Sequence, residues 1–170
     1  MRKTLVLLLG LAVLGALAVP AFGHRGGNGR MVLGANVLSP VIEPYTGAAN
    51  PSRGVAGGGL PWELRAGNAN LRADGRLHLR VKGLVLARRA PVPANLQGKI
   101  PFTQLGATVS CLTTPDGTSA TTDNVATKLF DVTPRGDGHL NTSVSLPSPC
   151  FAPIVFVTAP TGAWFAVTGD

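Results

Sequence analysis

The sequence is poor in aromatic residues, acidic residues and cysteines, and each shortage excludes a class of function. Aromatic residues are 5% of the chain, which argues against a platform that stacks the bases of single-stranded nucleic acid. The 8 acidic residues are scattered without a glycosidase-like pair, and no Gly-x-Ser-x-Gly motif occurs. The 2 cysteines form no C-x-x-C pair. We therefore predict no catalytic residue, metal site, cofactor or nucleic-acid partner.

The N-terminus has the three parts of a secretory signal peptide. Arg2 and Lys3 are positive, residues 4–19 form an apolar run, and Ala21 and Gly23 place small residues before a cleavage point. The run is slightly short of the roughly 20 apolar residues that a spanning helix needs, and no second run of that length follows. We predict a signal peptide at 1–23 and a secreted protein of the extracellular space or cell envelope. The alternative is an uncleaved N-terminal anchor.

Removal of residues 1–23, which include two basic residues, leaves 147 residues and lowers the net charge from +7 to +5. This length suits one domain. Residues 24–59 are rich in Gly and Pro and predict an irregular arm with one short strand near Val37 to Ile42. Residues 60–170 predict the folded domain.

Short stretches in this domain alternate between apolar and polar residues, which predicts half-buried strands. The clearest are Leu77 to Val81, Leu105 to Cys111 and Leu140 to Leu146, while Ile154 to Val157 is apolar throughout, as in a central strand. Gly-, Pro- and Asp-rich turns separate them at 88–101, 114–124, 134–138 and 159–162. No sustained helical period follows the signal peptide. We predict an all-β antiparallel β-sandwich of seven or eight strands, immunoglobulin-like in architecture.

One hairpin register follows from the residues around Asp74 and Gly75. A two-residue turn would pair Arg72 with Leu77, whereas a three-residue loop with Gly75 left-handed pairs Leu71 with Leu77. We favour the second register because it places apolar residues opposite each other.

The two cysteines, Cys111 and Cys150, predict one disulfide in an exported chain. It would join the end of one strand to the start of another. Two separate buried thiols are the alternative.

The stretch from about Gly57 to Asp170 resembles a family of uncharacterised exported proteins from GC-rich bacteria. The segments that carry the resemblance are Gly58-Gly59-Leu60-Pro61-Trp62, Asp74-Gly75-Arg76-Leu77, Gly83-Leu84-Val85-Leu86, Val109-Ser110-Cys111-Leu112, Leu146-Pro147-Ser148-Pro149-Cys150 and Gly162-Ala163-Trp164-Phe165-Ala166-Val167-Thr168-Gly169. The resemblance implies export and a compact domain, and it implies no activity.

The histidines raise one enzymatic alternative. Cleavage after Gly23 would make His24 the N-terminus, whose amine and imidazole could chelate copper with His78 or His139, an arrangement that resembles β-sandwich copper oxygenases. Otherwise His78 and His139 are solvated strand or turn residues. Arg135-Gly136-Asp137 matches the integrin-binding tripeptide, and we interpret it as a turn.

The remaining feature is a cluster of basic residues, namely Arg65, Arg72, Arg76, Arg80, Lys82, Arg88 and Arg89. On the favoured register, Arg72, Arg76, Arg80 and Lys82 project from one outer face, which makes them a candidate anion-binding face. A solvated face that protects the sheet from edge pairing is the alternative. We therefore predict a non-catalytic exported binding or structural domain, whose partner is an anionic polymer or membrane surface. The alternative is a small secreted metalloenzyme or hydrolase.

Overall fold

The computed structural model describes residues 29–168, and every regular element in that range is a β-strand. The twelve strands are β1 (Met31–Ala35), β2 (Leu38–Pro40), β3 (Trp62–Glu63), β4 (Ala66–Arg72), β5 (Arg76–Lys82), β6 (Val85–Leu86), β7 (Gln104–Thr113), β8 (Thr121–Ala126), β9 (Phe130–Asp131), β10 (Gly138–Ser143), β11 (Phe151–Thr158) and β12 (Trp164–Thr168). The all-β prediction is confirmed, and the predicted count of seven or eight strands is too low. No helix long and apolar enough to cross a membrane occurs between residues 29 and 168. The predicted signal peptide and His24 lie outside this range.

Ten strands form two antiparallel sheets that share one core in a sandwich-like arrangement. The first sheet has the order β1-β4-β5-β10. The second has the order β2-β12-β11-β7-β8, and β9 also pairs with β7. Fully buried side chains of both sheets, such as Leu77 from the first and Val109 from the second, belong to the same apolar cluster. The remaining strands, β3 and β6, pair with each other.

The β4–β5 hairpin has the register that the sequence favoured. Leu71 pairs with Leu77, and the amide of Gly75 donates to the carbonyl of Arg72 at 2.9 Å. Gly75 has a φ of +83°, a left-handed conformation that glycine adopts without a steric penalty. Because the register is fixed here, alternate residues of β5 fall strictly into one buried and one exposed set.

Strand β7 differs from β5 because its residues from Leu105 to Cys111 are buried in succession, so both faces of the strand are covered. The first sheet covers one face. Segment 41–58 covers the other: the amide of Trp164 in β12 donates to Ala56, and Arg53 donates to the carbonyl of Ser110 in β7. Since β11 lies between β12 and β7, this segment must cross over β11.

Two sequence-based assignments differ from the structure. The Gly/Pro-rich arm contains two strands rather than one, because β1 pairs with β4 and β2 pairs with β12. The segment 114–124 is not all turn, since β8 begins at Thr121 and pairs with β7. Strand β8 is an edge strand with mostly exposed residues, so it carries no apolar period that the sequence could reveal.

The predicted disulfide is confirmed. Cys111 and Cys150 are bonded, with a Cα–Cα separation of 5.0 Å. Cys111 lies near the end of β7, and Cys150 directly precedes β11, the neighbouring strand of the same sheet. The bond therefore joins two adjacent strands at one end of the second sheet.

Candidate functional site: the basic face of the first sheet

The outward side of β4, β5 and β10 carries polar and basic side chains in cross-strand rows. The row across the middle joins Asn70, His78 and Asn141, and the next row joins Asn68, Arg80 and His139. Residues directly opposite each other share a face, and alternate residues of one strand lie about 7 Å apart. We call this surface, formed by Arg76, His78, Arg80, Lys82, His139 and Asn141, the basic face.

The four residues predicted for anion binding differ in their surroundings. Arg76, Arg80 and Lys82 are exposed on alternate positions of β5. Arg72 is half-buried at the end of β4, where its guanidinium donates to the carbonyl of Gly29 at 2.9 Å. Arg72 is therefore held against the N-terminal segment, while the other three residues form one stripe.

An acidic residue partly neutralises one end of this stripe. Asp74 lies 3.1 Å from the Nε atom of Arg76 and accepts hydrogen bonds from the backbone amides of Arg76 and Gly29. The Arg76 amide is the main cause that lowers the pKa of Asp74, and the charges of Arg76 and Arg72 act in the same direction. Asp74 therefore stays ionised and offsets the charge of Arg76.

The centre of the stripe keeps its positive charge. Arg80 and Lys82 form no salt bridge with any residue in the range 29–168. Beside them, Nδ1 of His78 lies 2.6 Å from Oδ1 of Asn141. An amide oxygen only accepts hydrogen bonds, so this contact places a proton on Nδ1 and leaves Nε2 for another partner.

An open groove of about 690 Å³ runs over these residues. Its lining includes the polar side chains of Asn68, His78, Arg80, Lys82, Thr133, His139 and Asn141, together with one carboxylate, that of Asp137. A groove of this kind offers cationic and amide donors at regular spacing along a surface. It offers no enclosed chamber from which water would be excluded.

Two other basic residues of the sequence cluster pair with carboxylates, and one of them is next to the stripe: the backbone amide of Arg65 donates to the carbonyl of Lys82 at 3.0 Å. Arg88 forms a 2.9 Å salt bridge with Glu63, and Arg65 lies 3.7 Å from Asp137. The amide and guanidinium of Arg88 both donate to Glu63, and these bonds lower the pKa of that carboxyl group, the amide bond being the larger cause. Arg65 and Arg88 are therefore each partly neutralised by a carboxylate, unlike Arg80 and Lys82.

The histidine and tripeptide hypotheses have different outcomes. His78 and His139 both lie on the basic face, in adjacent rows, and no group of three or more metal-ligating side chains occurs within the part of the chain that the structure describes. His24 lies outside that part, so the copper hypothesis stays a prediction. The tripeptide at 135–137 lies in a turn, in which the amide of Gly136 donates to the carbonyl of Thr133 at 2.8 Å, as interpreted from the sequence.

Sequence reasoning missed the contribution of β10 to the basic face. The alternation from Leu140 onward showed that His139 and Asn141 share one side of a strand. It did not show that β10 pairs with β5, because the two strands are about sixty residues apart and no turn connects them. A covarying pair of positions such as His78 and Asn141 would have been the signal.

A scan against protein-family models, a search of curated proteins and a search of solved structures each found no match to this chain. The resemblance to exported proteins of GC-rich bacteria therefore stays a prediction.

Proposed function

We propose that this protein is a non-catalytic exported binding domain and that its basic face binds an anionic polymer. The observation that carries the proposal is the stripe of exposed cations on β5, in which Arg80 and Lys82 lack an acidic partner within residues 29–168. Among the described residues, Asp74 pairs with Arg76 at one end of the stripe, and Asp137 is the one carboxylate that lines the groove. A polymer with a negative charge at each repeat could contact several of these cations at once.

A polymer suits this face better than a lipid bilayer does. Surfaces that enter the headgroup region combine basic residues with large exposed apolar side chains. The basic face has none of the latter: the exposed large apolar residues of the described chain are Met31, Val37, Ile42, Tyr45, Leu96, Leu112, Leu129 and Phe151. The amide and imidazole groups of Asn141 and His78 instead offer hydrogen bonds to a polar chain.

We also propose an immunoglobulin-like architecture, on the basis of strand order. In immunoglobulin domains strands A, B and E share one sheet, while G, F and C, extended by C′ in variable domains, share the other. The orders β4-β5-β10 and β12-β11-β7-β8 correspond to A-B-E and G-F-C-C′. The disulfide departs from the antibody pattern, since it joins neighbours in one sheet rather than the two sheets.

The proposed site of action is outside the cytoplasm. The support is the N-terminal sequence, with its basic start, apolar run and small residues at Ala21 and Gly23. The Cys111–Cys150 disulfide is compatible with that location, because such bonds persist in oxidising compartments. Intact mass of the exported protein tests the prediction, which requires His24 as the first residue; retention of residues 1–23 would favour a membrane anchor.

The binding proposal is tested by charge reversal at the centre of the stripe. The variant carrying Arg80→Glu and Lys82→Glu is compared with a control carrying Lys99→Glu and Lys128→Glu, which has the same net charge. Calorimetric titration with linear polyphosphate at low salt should show equally tight binding by the wild type and the control and far weaker binding by the first variant. Binding should also weaken as the screening length falls from about 30 Å at 0.01 M salt to about 8 Å at 0.15 M.

Three results decide between the interpretations. Equal binding by both variants contradicts the proposal and leaves the solvated-face interpretation. Binding to anionic vesicles without binding to polyphosphate replaces the polymer with a membrane. Stoichiometric copper in the exported protein would favour the alternative metalloenzyme.

A further inference from the structure

A second recess lies on the other side of Asp137 from the basic face. It has a volume of about 390 Å³ and is lined by three arginines from separate parts of the chain, namely Arg65, Arg88 and Arg135. Arg65 precedes β4, Arg88 follows β6, and Arg135 lies in the loop before β10. Only the fold brings these guanidinium groups to one place. We call this recess the arginine pocket.

Two of the three arginines are positioned by carboxylates. Nη1 of Arg88 lies 2.9 Å from Glu63, and Nη2 of Arg65 lies 3.7 Å from Asp137. Each guanidinium has five N–H donors, so these contacts leave donors of both residues available. The side chains of Arg65 and Arg88 are 72% and 63% exposed, so a ligand from solvent can reach them.

The backbone makes room for Arg88. Gly98, which also lines the pocket, has a φ of +67°, and a Cβ atom there would lie 2.9 Å from Nε of Arg88. A side chain at residue 98 would displace the guanidinium. The glycine therefore lets Arg88 lie against the pocket wall.

The one carboxylate among the lining residues is already occupied. Oδ1 of Asp137 accepts a hydrogen bond from the amide of Gly83 at 2.8 Å, in addition to its contact with Arg65. Arg135 forms no salt bridge or side-chain hydrogen bond with any residue from 29 to 168. The lining has three cations and one anion, and Glu63 beside it adds a second anion that pairs with Arg88, so one cation, Arg135, has no partner in that range.

We propose that the arginine pocket binds a phosphate monoester group. A planar carboxylate is satisfied by the fork of a single arginine, whereas a tetrahedral phosphate presents oxygens in several directions. Guanidinium groups that approach from three loops match the second geometry. The volume exceeds that of a bare ion, so the pocket accommodates the group together with part of the sugar or glycerol that carries it.

The inference is independent of polymer binding by the basic face, and calorimetry separates the two. Titrations with inorganic phosphate and with glycerol 3-phosphate at low salt compare the wild type with Arg135→Ala. Arg135 is exposed in a turn, so its removal should leave the unfolding midpoint unchanged. We expect the wild type to bind both compounds and Arg135→Ala to lose roughly tenfold or more in affinity, as follows when charge-assisted hydrogen bonds are lost.

Lys128→Ala removes an exposed cation that lines neither the groove of the basic face nor the arginine pocket, so it is the matched control and should bind both compounds as the wild type does. Arg80→Ala removes a cation of the basic face and separates the two sites. Arg135→Lys should bind more weakly than the wild type because an ammonium group lacks the guanidinium fork. No binding by the wild type, or unchanged binding by Arg135→Ala, would overturn the proposal. Loss of binding in Arg80→Ala would also overturn it, because the phosphate would then lie on the basic face.

The source of the phosphate is distinguished by a second comparison. A linear polyphosphate has terminal groups, whereas cyclic trimetaphosphate has none. If the pocket takes the end of a polymer, Arg135→Ala should weaken binding of the linear compound and leave the cyclic one unaffected. If it takes only a small phosphorylated molecule, the substitution should weaken binding of inorganic phosphate and glycerol 3-phosphate and leave binding of the linear and the cyclic polyphosphate unchanged.

Discussion

The outward face of the first sheet is exposed to solvent, whereas that of the second sheet is covered by another part of the chain. On the first sheet, β5 alternates strictly and exposes Arg76, His78, Arg80 and Lys82. On the second, segment 41–58 crosses β11, so Thr108 and Phe156, which pair across β7 and β11, are buried. Covering a face supplies apolar contacts and stability. Leaving a face bare allows charge to be kept there, which makes the first sheet the one available for a polar ligand.

The largest effect that the comparison predicts is at Phe156, the largest fully buried side chain. Phe156→Ala should lower the free energy of unfolding by about 3–5 kcal/mol, because it leaves a cavity under a covered face. Arg80→Ala on the bare face is the control and should change stability by no more than about 0.5 kcal/mol, because Arg80 is exposed and its side chain forms no hydrogen bond or salt bridge within residues 29–168. Denaturant unfolding measures both. Equal effects would show that the two faces do not differ in this way.

The second prediction concerns the disulfide at the end of the second sheet. Cys150→Ala should lower the free energy of unfolding by about 2–4 kcal/mol, since the bond closes a loop whose ends are separated by 39 residues. Thiol labelling of the unreduced, unfolded protein should find no free thiol. Two labels per chain would refute the pairing.

A smaller loss of stability is expected on substitution of Arg53, which holds segment 41–58 against the second sheet. Its guanidinium donates to the carbonyl of Ser110, and its own carbonyl accepts from the side chain of Asn124. Arg53→Ala should cost about 1 kcal/mol through the lost hydrogen bond, while the exposed Arg89→Ala should be nearly neutral. If the two substitutions have the same effect, Arg53 does not hold the segment in place.

The smallest effect depends on pH and concerns Glu63 beside the arginine pocket. Hydrogen bonds from Arg88 lower the pKa of Glu63 below its ordinary value of 4.5. A lowered pKa in the folded state stabilises the fold above the unfolded value and ceases to do so as the pH falls through the folded value. Glu63→Gln should therefore reduce the thermal midpoint near pH 6, and the difference in midpoint from the wild type should shrink as the pH falls below 4.5 and the Glu63 carboxylate becomes protonated. A difference in thermal midpoint that does not change with pH would show that the ionised carboxylate of Glu63 is not its cause.

Much of the fold followed from local patterns in the sequence. The alternation of apolar and polar residues predicted most of the strands. The apolar pairing of Leu71 with Leu77 predicted the hairpin register, and the presence of two cysteines predicted the disulfide between Cys111 and Cys150. Each of these depends on residues near one another in sequence or on the only two cysteines. The stripe on β5 followed from the same alternation.

Other features of the fold could not be predicted, because they depend on which segments far apart in sequence come into contact. Segment 41–58 contains Gly and Pro without any period, yet it covers a sheet through backbone bonds such as that from Trp164 to Ala56. The arginine pocket joins Arg65, Arg88 and Arg135 across seventy residues of sequence. No local sequence pattern predicts these long-range contacts, because loop residues show little alternation of apolar and polar side chains.

The most direct measurement is to map where linear polyphosphate contacts the protein by amide chemical-shift perturbation. The account predicts that the largest shifts fall on β5 and β10, at residues such as Arg80, Lys82 and Asn141. Amides of the second sheet, for example those of β8 from Thr121 to Ala126, should shift little. Shifts concentrated on β8, or spread evenly over both sheets, would contradict the claim that the bare face of the first sheet is the binding surface.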